Sequence, residues 1–283
     1  MRWITTRFNI DLSRPKVMGI VNVTPDSFSD GGHHASAASA LAHCEALLRQ
    51  GADILDIGGE SSRPGALQLS VDQEWMRIEG VLKGAVSLGC PISVDTCKPE
   101  VMGRALDLGV DIVNDIKALG VPGSMQVVAT HATCGVCLMH MCGTPLDMQT
   151  QTDYDDVVVE VGHFLADRAR ALIEQGVGQD RIALDPGIGF GKTPEQNVTL
   201  LREQGALLAL GFPLLVGWSR KSTLGVLTGK PVEERLAASL AAALASVSLG
   251  ASIVRVHDVG PTVDALKVWQ AAGLLQRMTA RGG

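Results

Sequence analysis

The sequence has 283 residues, of which 46% are hydrophobic and 19% are charged, and its formal net charge is −6. This balance excludes a mainly disordered chain, because the apolar content is sufficient for a large core. The lysines and arginines form no basic run, so we expect no nucleic-acid partner, since phosphate binding needs clustered positive charge.

Eight short runs rich in β-branched residues recur along the chain and are predicted to be strands. They lie at residues 16–21, 53–58, 91–95, 110–114, 136–141, 181–185, 213–217 and 252–256. Segments with helical periodicity lie between them, for example at residues 36–50, 72–89, 154–176 and 233–250.

The alternation of strand and helix predicts the fold. Strands that are apolar on both faces suit a fully covered parallel sheet, and eight such units fit a closed barrel better than an open sheet. We therefore predict an α/β fold, a (β/α)8 TIM barrel, built as a single domain over residues 1–283.

Two long stretches without charged residues, at 118–146 and 236–254, raise the question of a membrane. Proline, histidine and glycine interrupt the first, and the second is built of alanine and serine, so neither is predicted to span a bilayer. The N-terminus carries charges at positions 2, 7 and 11 instead of the apolar segment of a secretory signal. We expect a cytoplasmic protein with no membrane partner.

The six cysteines include one CxxC pair, Cys134 and Cys137. A structural zinc site needs a second pair, and a redox motif of this kind opens a helix, whereas this pair leads into a predicted strand. Free thiols in a reducing cytosol are the favoured interpretation. The alternative is a metal- or redox-responsive binding module built on the cysteines and histidines of residues 131–142.

Polar side chains follow or end all eight predicted strands, and in a barrel these ends meet on one face, where barrel active sites lie. They include Asn22, the run Glu60 to Arg63, Asp95, Asn114, His140, Asp185, the run Ser219 to Lys221, Arg255 and His257. Strand ends are polar in many proteins. A cluster of carboxylates, cations and amides in a chain with few charges nevertheless favours a functional site.

The glycine run at residues 185–193 does not match a nucleotide loop, because Pro186 stands where a P-loop needs glycine and the glycine spacing fails the GxGxxG pattern. We expect Asp185 to end its strand and the glycines to let the backbone approach a flat ligand. A mobile loop without a ligand is the alternative.

The set of Asp95, Asn114, Asp185 and Lys221 suits a planar heterocycle with adjacent N–H donors and ring acceptors, such as a guanine-like or pterin-like ring. Arg255 can stack on such a ring while its fork reaches an anion. An anion pocket with room for a divalent metal is predicted from five residues: Asn22, Ser62, Arg63, Arg255 and His257. No nucleophile–base pair or zinc motif is evident, which favours leaving-group stabilisation over covalent catalysis.

Motifs on all eight strands resemble those of dihydropteroate synthases, over residues 16–260. They are MGIVNVTPDSFSDGG, GGESSRPGA, ISVDTCKPEV, VNDI, LMHMCGTPLDMQ, LDPGIGFGKT, WSRKS and RVHDV. The resemblance implies that 6-hydroxymethyl-7,8-dihydropterin pyrophosphate condenses with p-aminobenzoate. The products would be 7,8-dihydropteroate and pyrophosphate, formed in folate biosynthesis with Mg2+ assistance.

The resemblance also implies roles for individual residues. The pterin would be bound by Asp95, Asn114, Met139, Asp185, Phe190, Gly217, Lys221 and Arg255. The pyrophosphate would be bound by Asn22, Ser62, Arg63, Arg255 and His257, with Asn22 as the metal ligand. The aminobenzoate would lie among Phe28, Ser62, Arg63, Pro64, Phe190, Ser219, Lys221 and Ser222. The catalytic residues would be Asp95, Lys221, Arg255 and His257.

The expected chemistry is SN1-like: pyrophosphate leaves a pterin methylene cation, which the aniline nitrogen then attacks. We expect residues 23–32 to form a lid that brings Phe28 to the aminobenzoate ring, with sulfonamides as competitors. The alternative that Phe28 always packs in the barrel rim stays open.

Two positions depart from the family pattern, Ser62 in place of threonine and Cys142 in place of glutamine. The helix predicted at 233–250 is rich in alanine and serine, which permits close packing, and the resemblance implies a homodimer formed through this end of the barrel. The rival function is a pterin-binding methyltransferase barrel, which has no need of a pyrophosphate pocket.

Overall fold

The eight predicted strands form one parallel barrel in the computed structural model, which describes residues 1–24, 32–62, 65–66 and 68–274. The strands are β1 (Arg2–Ile4), β2 (Asn9–Asp11), β3 (Lys16–Asn22), β4 (Ile54–Gly58), β5 (Ile92–Asp95), β6 (Ile112–Asp115), β7 (Gly135–Met139), β8 (Ile182–Asp185), β9 (Leu215–Val216) and β10 (Ile253–Val256). Strands β3 to β10 correspond to the eight predicted runs. The hairpin of β1 and β2 was not predicted.

The barrel strands pair in the order β8-β7-β6-β5-β4-β3-β10-β9, and every pair is parallel. A parallel bridge between Leu184 and Leu214 closes the ring, and the Leu184 amide donates to the Pro213 carbonyl at 2.9 Å. The predicted (β/α)8 barrel is confirmed.

Helices follow each barrel strand and cover the outside of the sheet. They are α1 (Gly32–Arg49), α2 (Val71–Ala85), α3 (Pro99–Asp107), α4 (Ser124–Thr130), α5 (Val157–Glu174), α6 (Pro194–Arg202), α7 (Gln204–Leu208), α8 (Ser222–Thr228), α9 (Leu236–Ser248) and α10 (Val259–Ala271). The start of α2 shows how the sequence defines a helix N-terminus: Ser70 and Gln73 form a capping box that satisfies backbone amides there.

Alternation along the strands separates two cores. Outward side chains such as Val17, Leu55 and Val94 are buried under the helices in the larger cluster. Inward side chains at the strand N-termini, such as Met18 and Ile54, belong to a second cluster inside the barrel. The fold therefore leaves the inward positions at the C-terminal ends of the strands for other side chains.

The hairpin of β1 and β2 closes the N-terminal end of the barrel. Trp3 is completely buried with Ile10 and Leu12 in the inner cluster, and its Nε1 donates to the Arg181 carbonyl at 2.9 Å. Burying an indole removes about 200 Å² from water, on the order of 5 kcal/mol. The hairpin thus contributes apolar packing at the end of the barrel opposite the candidate site.

Within the part of the chain that the structure describes, no helix is both long and apolar enough to cross a membrane.

Candidate active site

A cavity of about 850 Å³ opens at the C-terminal end of the barrel. Its walls come from strand ends and from the loops that follow them. The lining residues are Ile20, Asn22, Thr24, Ser61, Ser62, Asp95, Met148, Gly189, Phe190, Gly217, Ser219, Arg220, Lys221, Ser222, Val232, Glu233, Arg255 and His257. The size suits a ligand with a fused ring and a polar extension.

Two carboxylates hold Arg255 at the base of this cavity. Its Nε donates to Asp56 Oδ2 at 2.6 Å and its Nη2 donates to Asp95 Oδ2 at 2.7 Å. Burial opposes the charged guanidinium, but Asp56 and Asp95 raise the pKa of Arg255 above its usual value. The planar cation is therefore fixed in place at the cavity, and a guanidinium of this kind can stack on a flat ring.

Asp56 is a site residue that sequence reasoning missed. It lies within β4, is fully buried, and accepts a second hydrogen bond from Asn114 Nδ2 at 3.1 Å. One carboxylate oxygen thus orients both Arg255 and the Asn114 amide. The available signal was a charged residue in the middle of an otherwise apolar strand, at an inward position two residues after Ile54.

Asn114 and Asp185 are buried behind the lining side chains, with exposures of 4% and 6%. The Asn114 amide donates to Asp56, so its Oδ1 is left as an acceptor; Asp185 Oδ1 accepts from the Gly187 amide at 2.7 Å. Burial raises the pKa of Asp185 to about 6, while the Gly187 amide, Lys221, Arg255 and Lys192 oppose that rise. At neutral pH the ionised carboxylate can accept N–H groups from a ligand.

Lys221 lies with its Nζ 3.9 Å from the centroid of the Phe190 ring, a cation–π contact. Burial and the repulsion from Arg255 lower the pKa of Lys221 to about 8, although Asp185 and Asp95 favour the charged amine. The preceding residue, Arg220, has φ 61, a left-handed conformation that is unfavourable for a non-glycine residue. Its ion pair with Asp258 at 2.6 Å stabilises that turn.

Asp95 faces the cavity from the end of β5. Burial raises the pKa of this carboxyl group to about 7; Arg255 lowers it, and the neighbouring Asp56, Glu74 and Asp115 raise it further. A carboxyl group whose pKa is shifted toward neutrality in this way is typical of a functional site. Asp95 lines the cavity next to Arg255, so it can respond to a cationic ligand.

The predicted anion-binding side is formed around His257. Its Nδ1 lies 3.0 Å from Ser219 Oγ, which also accepts from the His257 backbone amide at 3.2 Å. Asn22 at the end of β3 and Ser62 after β4 line the same cavity. The structure therefore gives Ser219 a contact that orients the histidine, in addition to its predicted place near the aminobenzoate.

A divalent metal was predicted at Asn22. Among the described residues, no group of three or more His, Cys, Asp or Glu could hold a metal ion. Mg2+, however, keeps several waters and takes few protein oxygens together with substrate phosphates. The side chain of Asn22 lines the cavity, so its amide oxygen fits this kind of site.

The remaining predicted residues are distributed unevenly. Gly217 and Phe190 line the cavity, Met139 is buried, and Ser222 is exposed at the first position of α8. Phe28, Arg63 and Pro64 lie outside the residues that the structure describes, and so does most of the predicted lid. Their assignments stay predictions.

The cysteines do not form the rival metal site. Cys134 packs in the outer core and Cys137 in the cluster inside the barrel, so the two thiols point into different cores. All six cysteines are free, and burial raises the pKa of Cys134 and Cys137. Cys142, the departure from the family pattern, lies against Gly191 and 3.9 Å from Gln151 Oε1.

Comparison with known proteins gives consistent results. Residues 18–257 match a family model described as a pterin binding enzyme. The chain is similar to the dihydropteroate synthase of Neisseria meningitidis serogroup B, with 53% identity over 278 residues that cover 96% of this chain and 98% of the relative.

Solved structures give the same result. The structure is similar to Xanthomonas albilineans dihydropteroate synthase with 4-aminobenzoic acid, with 49% identity, a TM-score of 0.88, and coverage of 94% of this chain and 95% of that one. It is also similar to Burkholderia cenocepacia dihydropteroate synthase complexed with 7,8-dihydropteroate, with 43% identity, a TM-score of 0.88 and 98% coverage of both chains.

Proposed function

This chain belongs to the dihydropteroate synthase family of pterin-binding enzymes, and from that membership we propose how its site works. The reaction joins 6-hydroxymethyl-7,8-dihydropterin pyrophosphate to p-aminobenzoate and yields 7,8-dihydropteroate and pyrophosphate. The new bond is between the pterin methylene carbon and the aniline nitrogen. The bond that breaks is the one from that carbon to the pyrophosphate oxygen, and the nitrogen loses a proton.

One observation carries the assignment of the pterin site: Arg255 is fixed by Asp56 and Asp95, and Asn114 and Asp185 supply buried acceptor side chains at the same end of the barrel. A pterin ring stacks on the guanidinium and donates its adjacent N–H groups to the Asn114 and Asp185 side chains. Lys221 donates to the ring acceptors, since its amine has no hydrogen-bond acceptor among the described residues. Met139, Phe190 and Gly217 form the rest of the slot.

The aminobenzoate occupies the outer part of the cavity. Phe190, Lys221 and Ser222 border it, and the first two also touch the pterin slot, so the two substrates meet at the Lys221 amine. Phe28, Arg63 and Pro64 are proposed to complete this part from the loops after β3 and β4. A sulfonamide, which has the same aniline ring, competes for this position.

Cleavage of the pyrophosphate bond develops positive charge on the pterin methylene. The Asp95 carboxylate lies beside the ring and stabilises that charge, which favours an SN1-like route. Arg255 and His257 offset the negative charge on the departing group. Asn22, with Ser62, would hold Mg2+ here, and the bound ion would supply further positive charge at the leaving group.

The function is tested by mixing the protein with Mg2+, the pterin pyrophosphate and p-aminobenzoate and measuring pyrophosphate release. We expect release that depends on the aminobenzoate, with dihydropteroate identified by mass spectrometry. Absent release, or release of the same rate without aminobenzoate, would refute the function. A pterin-binding methyltransferase would release none, so the same assay separates the rival.

We also propose a homodimer that forms through α8, α9 and α10. Consecutive helices there contact one another and expose apolar side chains. These residues are Val226 and Leu227 on α8, Leu236 on α9, Leu249 after it, and Val268 on α10.

The dimer is tested by sedimentation of the Val268→Glu variant, because Val268 is 69% exposed and is not among the residues that line the cavity. The control is Val159→Glu on α5, across the barrel, where the side chain is 48% exposed. We expect only Val268→Glu to shift the protein toward monomer. A wild-type protein that sediments as a monomer would refute the dimer.

The cytoplasm is the proposed location. All six cysteines are free thiols and five of them are buried, which suits a reducing compartment. Fractionation of cells that produce the protein tests this proposal, and recovery outside the cytoplasmic fraction would contradict it.

A further inference from the structure

Lys192 is a buried cation that none of the roles above uses. It is 4% exposed and follows the glycine run that separates β8 from α6. Its Nζ lies 2.9 Å from His140 Nδ1 and donates to the Phe190 carbonyl at 3.0 Å and to the Gly187 carbonyl at 3.1 Å. An amine surrounded by backbone carbonyls holds those carbonyls in place.

The carbonyls that Lys192 holds belong to residues that shape the pterin slot. Gly187 donates its amide to Asp185 Oδ1, and the ring of Phe190 carries Lys221. Gly187 has φ 69, and a Cβ there would lie 1.8 Å from the His140 carbonyl oxygen, so the turn is packed directly on the end of β7. Lys192 therefore links the two ends of this turn, at Gly187 and Phe190, to His140 at the end of β7.

Burial and the charged groups around Lys192 determine its protonation state. Burial lowers the pKa of Lys192 to about 7; Asp185 and Cys142 favour its charge and Lys221 opposes it. Burial, with repulsion from Lys192, lowers the pKa of His140 to about 3, so its neutral ring can accept a hydrogen bond. Below pH 7 the amine is thus an ammonium ion with acceptors on three sides.

Asp185 responds to that ammonium ion. Burial raises the pKa of its carboxyl group to about 6, and the groups that oppose the rise are the Gly187 amide, Lys221, Arg255 and Lys192. Burial, with the charge of Asp185, raises the pKa of the Cys137 thiol on β7. Between pH 6 and 7, Lys192 is mostly protonated and Asp185 mostly ionised. Loss of the Lys192 charge would therefore raise the pKa of Asp185.

We propose that Lys192 is a positioning residue for the pterin site, whose ammonium holds the turn of residues 187–190 against β7 and keeps Asp185 ionised for the ligand. This inference rests on the proposed function, because it concerns the carboxylate that accepts the pterin N–H groups. Lys192 touches no substrate and acts through Asp185 and Phe190.

The test measures the Kd of 6-hydroxymethyl-7,8-dihydropterin pyrophosphate by calorimetry, without aminobenzoate, at pH 6 and pH 8.5. The variant is Lys192→Met, and the ratio of its Kd to the wild-type Kd cancels the titration of the ligand itself. We expect a ratio about fivefold larger at pH 6 than at pH 8.5, since a rise of about one unit in the pKa of Asp185, from about 6, lowers its ionised fraction at pH 6 from about a half to about a tenth. A purely structural role would weaken binding equally at both pH values.

The control is Tyr154→Phe, since the Tyr154 hydroxyl donates to the Gly191 carbonyl of the same loop at 2.8 Å and its loss removes no positive charge. Its Kd ratio should be the same at both pH values. If Lys192→Met does not fold, Lys192→Gln, which keeps N–H donors for the carbonyls without the charge, takes its place.

Equal affinities of wild type and variant, or a loss of the same size at both pH values, would overturn the inference. Failure of the wild-type protein to bind the pterin pyrophosphate at any pH would instead refute the proposed function. The two failures are therefore distinguishable in one set of titrations.

Discussion

The two ends of the barrel are built from the same strands and differ completely in their inward side chains. At the N-terminal end, Met18, Ile54 and Ile253 pack with Trp3 of the hairpin in an apolar cluster. At the C-terminal end, Asp56 and Arg255, each two residues further along its strand, form buried ion-paired contacts. On the inward side of these strands, the side chains therefore change within two residues from an apolar cluster to ion-paired groups.

This difference shows how a barrel separates stability from chemistry. Burying charges at the C-terminal end costs free energy unless they are paired, and the charges there are shared between Arg255, Asp56 and Asp95. The apolar end has no such cost and contributes packing. Substitutions at the two ends should therefore affect different measurements.

The largest effect is expected at the apolar end. Trp3→Ala should lower the free energy of unfolding by about 3–5 kcal/mol, because it leaves a cavity in the inner cluster. Denaturant unfolding measures this, and kcat/KM of the remaining folded protein should stay near wild type. Met76→Ala, at a position 56% exposed on α2, serves as the control and should change little. An unchanged midpoint for Trp3→Ala would contradict the role of the hairpin.

The next effect is at the polar end. Asp95→Asn should lower kcat by about 10²–10³-fold, because it removes the carboxylate that we propose stabilises the pterin cation. The free energy of unfolding should be unchanged or higher, since burial disfavours the ionised form of this group in the folded state. Asp72→Asn, at an exposed position of α2, should leave steady-state kinetics unchanged. Wild-type kcat for Asp95→Asn would remove Asp95 from the mechanism.

A smaller effect is expected for Asp56, which is not among the residues that line the cavity. Asp56→Asn should raise the KM for the pterin pyrophosphate by about tenfold or more, on the order of 1–3 kcal/mol, because Arg255 and Asn114 lose a shared acceptor. The KM for aminobenzoate should change little. Asp53→Asn, three residues earlier in the chain and outside the pocket, is the matched control. Equal KM values for Asp56→Asn and wild type would show that Asp56 positions neither residue.

The smallest effect is a pH dependence. The pKa of Asp95 is raised to about 7, so the carboxylate is lost as pH falls through that value; the pKa of Lys221 is lowered to about 8, so its charge is lost as pH rises through it. A profile of kcat/KM for the pterin substrate should therefore be bell-shaped with its maximum between these values. Asp95→Asn should lose the acid limb near 7. A flat profile from pH 6 to 9 would contradict these assignments.

The sequence predicts the positions of the barrel strands and several helices well, because hydrophobic periodicity and segment length are local properties of the chain. All eight barrel strands lie where β-branched runs occur, and α1, α2, α5 and α9 lie within a few residues of the periodic segments. The hairpin of β1 and β2 was missed because its strands have three residues each, too few to show a period.

The candidate site was predicted from strand ends, and the structure brings several of these residues to one cavity. Asn22, Asp95, Arg255 and His257 all line one cavity. Asp56 was missed because it lies within a strand. Its importance depends on contacts with Asn114 and Arg255, which lie 58 and 199 positions further along the chain. Such long-range pairing has no signature in a single sequence.

The separation of the two ends is the central claim, and a double-mutant cycle of Trp3→Ala and Asp95→Asn tests it most directly. Free energies of unfolding and kcat/KM are measured for wild type, both single variants and the double variant. Independent ends predict additivity within about 0.5 kcal/mol in both quantities, because the residues are distant and share no partner. A coupling energy above about 1 kcal/mol in either quantity would show that the apolar cluster around Trp3 and the ion-paired residues of the cavity are not independent.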